Sequence, residues 1–205
     1  AETAGIRLVL LRAAYARSAP GEPPEGAQKR FVDSSPEAAC RAVERLRAEA
    51  ELVGLAPHSL RAVPLPWFRE LARFAADHGL VVHSHVSEQP KDVESSISEH
   101  GRRPIEVLAG IEELAGRFTA VHAIHTTVEE RALMAERGFR TCLCPSTERD
   151  LGDGIASFAA ERGLCLGSDS QALIDLFEEA RLVDLHDRLR SGTRTALSGE
   201  ALNRA

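Results

Sequence analysis

The segment GLVVHSHVSEQP, residues 79–90, packs a helix stop, a buried strand and a cluster of ionisable groups into twelve positions. Gly79 ends a helical pattern that covers 66–78, and the apolar run 80–85 then reads as a strand whose polar residues come at its end. The same order recurs on both sides. Upstream lie a strand over 6–14, a Pro/Gly-rich loop over 17–36, a helix over 36–50 with Ser34 or Ser35 as N-cap, and a strand over 52–56. Downstream, a helical stretch over 91–115, broken near Gly101 and Pro104, leads to a strand over 118–122. A helix over 127–137 stopped by Gly138, a strand over 140–144, a helix over 155–162, a strand over 164–167 and a last helix over 173–189 follow. Strict alternation of strands and helices predicts parallel strands joined by right-handed crossovers, and the class is α/β.

Alternation alone leaves an open doubly wound sheet and a closed barrel both available. A glycine-rich phosphate turn is not found after any strand, which removes the usual nucleotide-binding signature of the open sheet. Polar residues gather instead after five strand ends: His58 and Arg61, His85 and Glu88, His122 and His125, 146–153, and Asp169. Chemistry spread over the C-terminal ends of successive strands is what a (β/α)8 barrel of the TIM type produces. About six strand–helix units are found where closure takes eight and roughly 250 residues. The expectation is an incomplete barrel forming one partial domain over 1–205. Ala1 rather than Met opens the chain almost directly into a strand, as expected of a fragment lacking the start of its domain. Such a chain would expose unpaired strand edges and is expected to be poorly soluble or oligomeric when isolated.

The 205 residues are 43% hydrophobic and 27% charged, ordinary values for a globular domain. Twenty-five Lys and Arg against 31 Asp and Glu give a net charge of -6, which leaves no basic excess to neutralise a phosphate backbone and argues against nucleic acid. No stretch approaches the roughly 18 uninterrupted apolar residues of a membrane span, and no secretory signal opens the chain. The expected location is the cytoplasm. The four cysteines fit a reducing compartment. Cys142 and Cys144, two apart in a strand, share a face and have the look of a metal pair, but small buried apolar side chains explain them as well.

His83 and His85 also share a strand face, and an i, i+2 histidine pair can hold one metal ion; Glu88, just past the strand, would place a proton-shuttling carboxylate beside it. A lone histidine is more often satisfied by backbone bonds, yet His122 ends the next strand and Asp169 follows the last one. In a barrel these groups converge on one rim. His78, His100 and His186 fall in helices or at their ends and take no role, and the charged stretch 178–190 reads as a solvated helix face.

The runs APHSLRAVP (56–64), VVHSHVSEQPKDVE (81–94), GRRPIEVL (101–108), VHAIHTT (121–127), CLCPSTERDLGDGI (142–155) and GLCLGSDSQALIDLFEEARLVDLHDRL (163–189) resemble the N-formimidoyl-L-glutamate deiminases. These are histidine-degradation enzymes of the amidohydrolase superfamily, and the likeness covers nearly the whole chain. The resemblance implies a distorted (β/α)8 barrel holding one Zn2+ or another divalent metal. It makes His85 the ligand on the barrel's fifth strand and Asp169 the ligand on its eighth. Glu88 is similar to the proton shuttle, His122 to the sixth-strand histidine facing the reacting centre, and Arg61 to a residue that binds substrate carboxylate, which a guanidinium does bidentately. His83 is not a ligand in that family. His58, Thr147 and Glu148 fall where a substrate would sit, Arg149 and His125 lie nearby, and Gly152-Asp153-Gly154 reads as a tight turn.

The family also carries an H-x-H pair on its first strand as two further ligands, which this sequence does not supply. His85 and Asp169 fall short of the three protein ligands of a catalytic zinc, so this chain is expected to bind metal weakly or not at all. For the complete enzyme the resemblance implies hydrolysis of the C=N bond of N-formimidoyl-L-glutamate to N-formyl-L-glutamate and ammonia. The expected partner is a small substrate bearing carboxylates, with neither nucleic acid nor membrane, and the complete enzyme is expected to be a homodimer. Two alternatives stand beside this reading. A guanine- or adenosine-type deaminase shares the H-x-x-E and S-D features, although only seven Phe, one Trp and one Tyr are available to stack on a ring. An inactive truncated paralogue would account for the absent metal pair. The cytidine-type zinc deaminases fit less well, since they use H-x-E with P-C-x-x-C where this sequence has H-V-S-E and C-P-S-T.

Overall fold

The computed structural model describes residues 2–157, 163–170 and 174–194. Six strands, β1 (Leu10–Ala14), β2 (Val53–Pro57), β3 (Val82–Val86), β4 (Phe118–His122), β5 (Arg140–Leu143) and β6 (Leu164–Leu166), form one parallel sheet whose order is their order in the chain. A helix stands in every connection: α1 (Pro36–Glu49), α2 (Leu65–Asp77), α3 (Pro90–His100) with α4 (Pro104–Ala109), α5 (Val128–Glu136) and α6 (Pro145–Leu151), with α7 (Leu176–Ser191) after β6. These are six βα units of the (β/α)8 class, as the alternation predicts.

The helix starts are set by local chemistry. Ser35 is the N-cap of α1, its hydroxyl accepting the Ala38 N–H with Pro36 behind it at the first helical position. Thr127 and Glu130 form a reciprocal capping box at the start of α5. Asp175 caps α7 by accepting the N–H groups of Phe177 and Glu178. Gly101, in the left-handed region, closes α3 and produces the break expected there.

Several expectations are corrected. The strand read over 6–14 is paired only from Leu10, because Leu10 aligns with Val53 and the chain before Val53 is still leaving α1; Ile6, Leu8 and Val9 are exposed. The loop over 17–36 contains a six-residue 3-10 segment, Gly26–Phe31. Residues 145–151, between the strand read over 140–144 and the helix read over 155–162, form α6, with Pro145 at its first position and Gly152 in the left-handed region at its end. Of the helix read over 155–162, residues 155–157 are not helical and 158–162 lie outside the described residues. The last helix begins at Leu176 rather than 173, a position that lies outside the described residues.

The chain divides into two compact units, Ala1–Ser84 with Gly110–Phe118, and His85–Ala109 with Thr119–Ala205. In the first, Leu55, Phe68, Leu71, Ala72, Val82, Leu114 and Phe118 are buried, with α1 and α2 packed together and both on β2. Gly54 lies where β2 is squeezed: an added Cβ would meet Leu11 Cδ2 at 2.6 Å, Val81 Cγ2 at 2.8 Å and the Val81 carbonyl oxygen at 2.9 Å. The leucine can rotate away, whereas the carbonyl belongs to backbone. Gly54→Ala is therefore expected to destabilise the chain by about 1–3 kcal/mol, the range for overpacking, measured as a lowered urea midpoint. In the second unit, Ile124, Leu143, Ala156 and Val183 form a core against which Leu164 and Leu166 pack.

Candidate active site

The ionisable residues of the second unit stand where strands end and the backbone bends sharply. Among the described residues, Ser87 after β3, His122 and Ala123 at the end of β4, and Asp169 after β6 are the non-glycine positions with positive φ, from 49° to 69°. That conformation costs an L-residue roughly 1–3 kcal/mol, and such strain persists where surrounding structure enforces it, as at functional sites. The enforcing bonds are visible: the Ala123 N–H donates to the Val86 carbonyl and the His125 N–H to the Ser87 carbonyl, both at 3.0 Å. The ends of β3 and β4 are thereby locked together.

His122 is at the centre and fully buried. Its Nδ1 lies 3.2 Å from Glu148 Oε1 and its Nε2 lies 3.6 Å from Glu88 Oε1. Its ring stacks on that of His85, centroids 5.5 Å apart. Glu148, on the first turn of α6, is also buried, and the same Oε1 accepts the Cys144 N–H at 2.9 Å. Next to Glu88, the Gln89 amide donates to Asp153 Oδ1 at 3.0 Å. Three buried polar atoms here have no hydrogen-bond partner: Ser87 Oγ, His122 Nε2 and Asp153 Oδ2. Atoms of this kind are costly to leave unsatisfied in a folded interior, and a polar group bound beside them would supply the missing partners.

The electrostatics follow from burial and crowding. Burial pulls the affinity of His122 for a proton down, but the Glu148 hydrogen bond and the charges of Glu88, Glu148 and Asp169 outweigh it, so its pKa is raised. Burial pushes the Glu88 carboxyl up; His122 opposes this, and Asp153, Asp92 and Asp169 add to it, leaving a net raised pKa. A carboxyl that holds its proton longer than usual thus stands 3.6 Å from an imidazole, two groups of the kinds that carry protons in catalysis.

The structure thus brings His85, Glu88 and His122 together and places Asp169 close enough for its charge to act on both Glu88 and His122. Thr147 is buried on the first turn of α6, and Arg149 is exposed and paired with Asp150. Arg61 and His58 belong to the first unit: Arg61 Nη1 donates to the Ser18 carbonyl at 2.7 Å, and His58 Nδ1 lies 3.1 Å from Ser59 Oγ with its ring edge-on to Tyr15. Asp153, read only as part of a turn, and Gln89 are the residues that sequence reasoning passed over. The stretch 178–190 is not wholly solvated, since Glu179 and Asp187 are buried and Glu179 accepts the N–H and hydroxyl of Ser146.

Cys142 sits beside the thiols of Cys144 and Cys165, and the Cys144 contact does most to hold its pKa up, at about 12. Among the described residues no three His, Cys, Asp or Glu side chains are grouped to hold a metal ion. His85 and Asp169 fit a divalent cation in kind, one imidazole and one carboxylate, and fall short in number.

Residues 1–199 match the amidohydrolase family. This chain belongs to that family. Among amidohydrolases and their kin, a formimidoylglutamate deiminase of Pseudomonas aeruginosa is 39% identical over 207 residues, covering 96% of this chain and 45% of the relative. A 5-methylthioadenosine/S-adenosylhomocysteine deaminase of Halobacterium salinarum is 34% identical, covering 71% of this chain and 35% of the relative. The solved amidohydrolase of Brucella melitensis superposes with a TM-score of 0.88 at 36% identity, over 98% of this chain and 48% of that one. An adenosine deaminase of Xanthomonas campestris with bound zinc shares the fold, with a TM-score of 0.82 at 22% identity over all of this chain and 47% of that one. The chain spans less than half the length of each of these proteins. No helix among the described residues is long and apolar enough to cross a membrane.

Proposed function

We propose that the protein carrying this chain hydrolyses the C=N bond of N-formimidoyl-L-glutamate, giving N-formyl-L-glutamate and ammonia. The observation that carries the reading is the array of buried Glu148 and His122 with partly buried Glu88 at the ends of β3 and β4, in a sequence 39% identical to a formimidoylglutamate deiminase. A divalent cation, to which His85 and Asp169 would contribute two donors, lowers the pKa of water from 15.7 to about 7 in enzymes of this chemistry. Asp169 is suited to accept the proton of the attacking water. As its oxygen bonds to the formimidoyl carbon, Glu88 gives its proton to the nitrogen, which becomes an amine on a tetrahedral carbon that keeps one hydroxyl; the Glu88 carboxylate then takes the hydroxyl proton and passes it to that amine, which leaves as ammonia while the C=O forms, and the proton held by Asp169 restores Glu88. His122 faces the developing charge on oxygen, a role worth about 3–4 kcal/mol at comparable oxyanion sites. Arg61 is assigned to a substrate carboxylate, and His58 and Thr147 to the substrate without a stated group, on the sequence resemblance alone.

A purine-type deamination is favoured by the 34% identical Halobacterium salinarum deaminase. The scarcity of aromatic side chains, nine in all, speaks against a stacked ring. Ammonia release separates the two: it is expected from N-formimidoyl-L-glutamate and not from 5-methylthioadenosine or guanine. Release from the purines alone would replace the proposal with the second reading.

A further inference from the structure

We propose that Glu148 is a positioning residue that selects which nitrogen of His122 faces the reacting centre. The inference rests on the reading of Glu88 as the proton donor and His122 as the group that faces the reacting oxygen. A carboxylate only accepts hydrogen bonds, so the 3.2 Å contact from Glu148 Oε1 to His122 Nδ1 requires the proton on Nδ1. Nε2, buried and without a hydrogen-bond partner, is then the nitrogen turned to Glu88, lone pair outward when the ring is neutral and N–H outward when it is charged. Without Glu148, the carboxylate contact left at His122 is Glu88 Oε1, 3.6 Å from Nε2 and too long for a hydrogen bond that would fix the tautomer.

The rest of α6 supports this use of Glu148. Oε1 also takes the Cys144 N–H, which fixes the carboxylate to the end of β5 rather than leaving it to turn toward a substrate. Ser146, two residues earlier, is held by Glu179 of α7 through both its N–H and its hydroxyl. Five residues beyond Glu148, Asp153 donates its N–H to the Glu148 carbonyl at 2.9 Å and grips Gln89 beside Glu88. One short helix, anchored from behind by a buried carboxylate, thus touches His122, and the turn that follows it bonds the neighbour of Glu88. This gives Glu148 a role other than substrate contact: it acts through His122.

The test is the 15N NMR signature of His122 in the protein carrying this sequence, recorded on the neutral ring, beside steady-state kinetics. The wild type is expected to show the Nδ1-protonated tautomer. Glu148→Gln keeps an acceptor oxygen and is expected to retain that tautomer, whereas Glu148→Ala turns His122 into a mixture of tautomers. With N-formimidoyl-L-glutamate, kcat is expected to fall about 10–100-fold in Glu148→Ala, less in Glu148→Gln, with KM changing little. An Nε2-protonated ring in the wild type, or an unaltered tautomer in Glu148→Ala, overturns the proposal. Should Glu148→Ala fail to fold, the wild-type spectrum and Glu148→Gln still decide. The expected spectra without any turnover of that substrate would retain the positioning role and overturn the functional reading instead.

Discussion

Replacing Glu88 by Gln is expected to lower kcat about 100-fold to 10,000-fold, the span over which a positioned proton donor accelerates a reaction. Gln has the shape of Glu88 and keeps an oxygen 3.6 Å from His122 Nε2, but it has no proton to give. Stability should move the other way. Burial and the neighbouring carboxylates raise the folded pKa of Glu88 above its unfolded value, so the ionised form is disfavoured by folding. Below the unfolded pKa the group is protonated in both states and costs nothing. Stability is lost as pH rises from there through the folded pKa, and the loss is complete above it. Glu88→Gln should therefore melt higher than wild type at neutral and alkaline pH, with the difference vanishing in acid. Thermal melts across pH beside turnover check both halves. A variant that loses activity and stability together would mean that Glu88 is a structural acid.

Glu88 and His122 were legible because they sit at or just past the ends of short apolar runs closed by polar groups, and Gly79 marks where the helix before β3 stops. What lay hidden was tertiary. α6 has seven residues, too few for a helical period to show, and only Pro145 and Gly152 at its ends announce it. Asp153 looks like a turn residue between two glycines until Gln89, 64 positions away, donates to it. Glu179 reads as one more charge on a charged helix, yet it is buried against Ser146, 33 positions upstream. The start of β1 was overread for the opposite reason: apolar composition continues through Ile6, Leu8 and Val9, where there is no strand to pair with. Periodicity reports which faces are apolar; it carries no information about a carboxylate whose partner comes from another helix.

Glu130→Ala is expected to cost about 3 kcal/mol of stability, a large share of what a domain has. Glu130 is buried in the second unit, and its two oxygens serve three donors: Arg103 Nε at 2.8 Å and the Thr127 N–H at 3.0 Å on Oε2, and the Ile105 N–H at 3.3 Å on Oε1. Alanine would take the acceptor from two backbone N–H groups and from the Arg103 Nε–H at once. The loss belongs at the low end of the roughly 3–5 kcal/mol for broken buried pairs, because the Arg103 side chain is 27% exposed and water can reach it. Glu130→Gln keeps one acceptor oxygen and should cost less than alanine. The effect should also travel toward His122. Arg103 donates through Nη2 to the His125 carbonyl, and the His125 N–H in turn holds Ser87, so freeing Arg103 loosens the loop that enforces positive φ at Ser87 and His122. Activity is expected to fall in Glu130→Ala by far less than in Glu88→Gln, since no reacting proton is lost. Urea unfolding measures the first effect and kcat the second. A change in stability under about 1 kcal/mol would show that water satisfies the three donors as well as the carboxylate does.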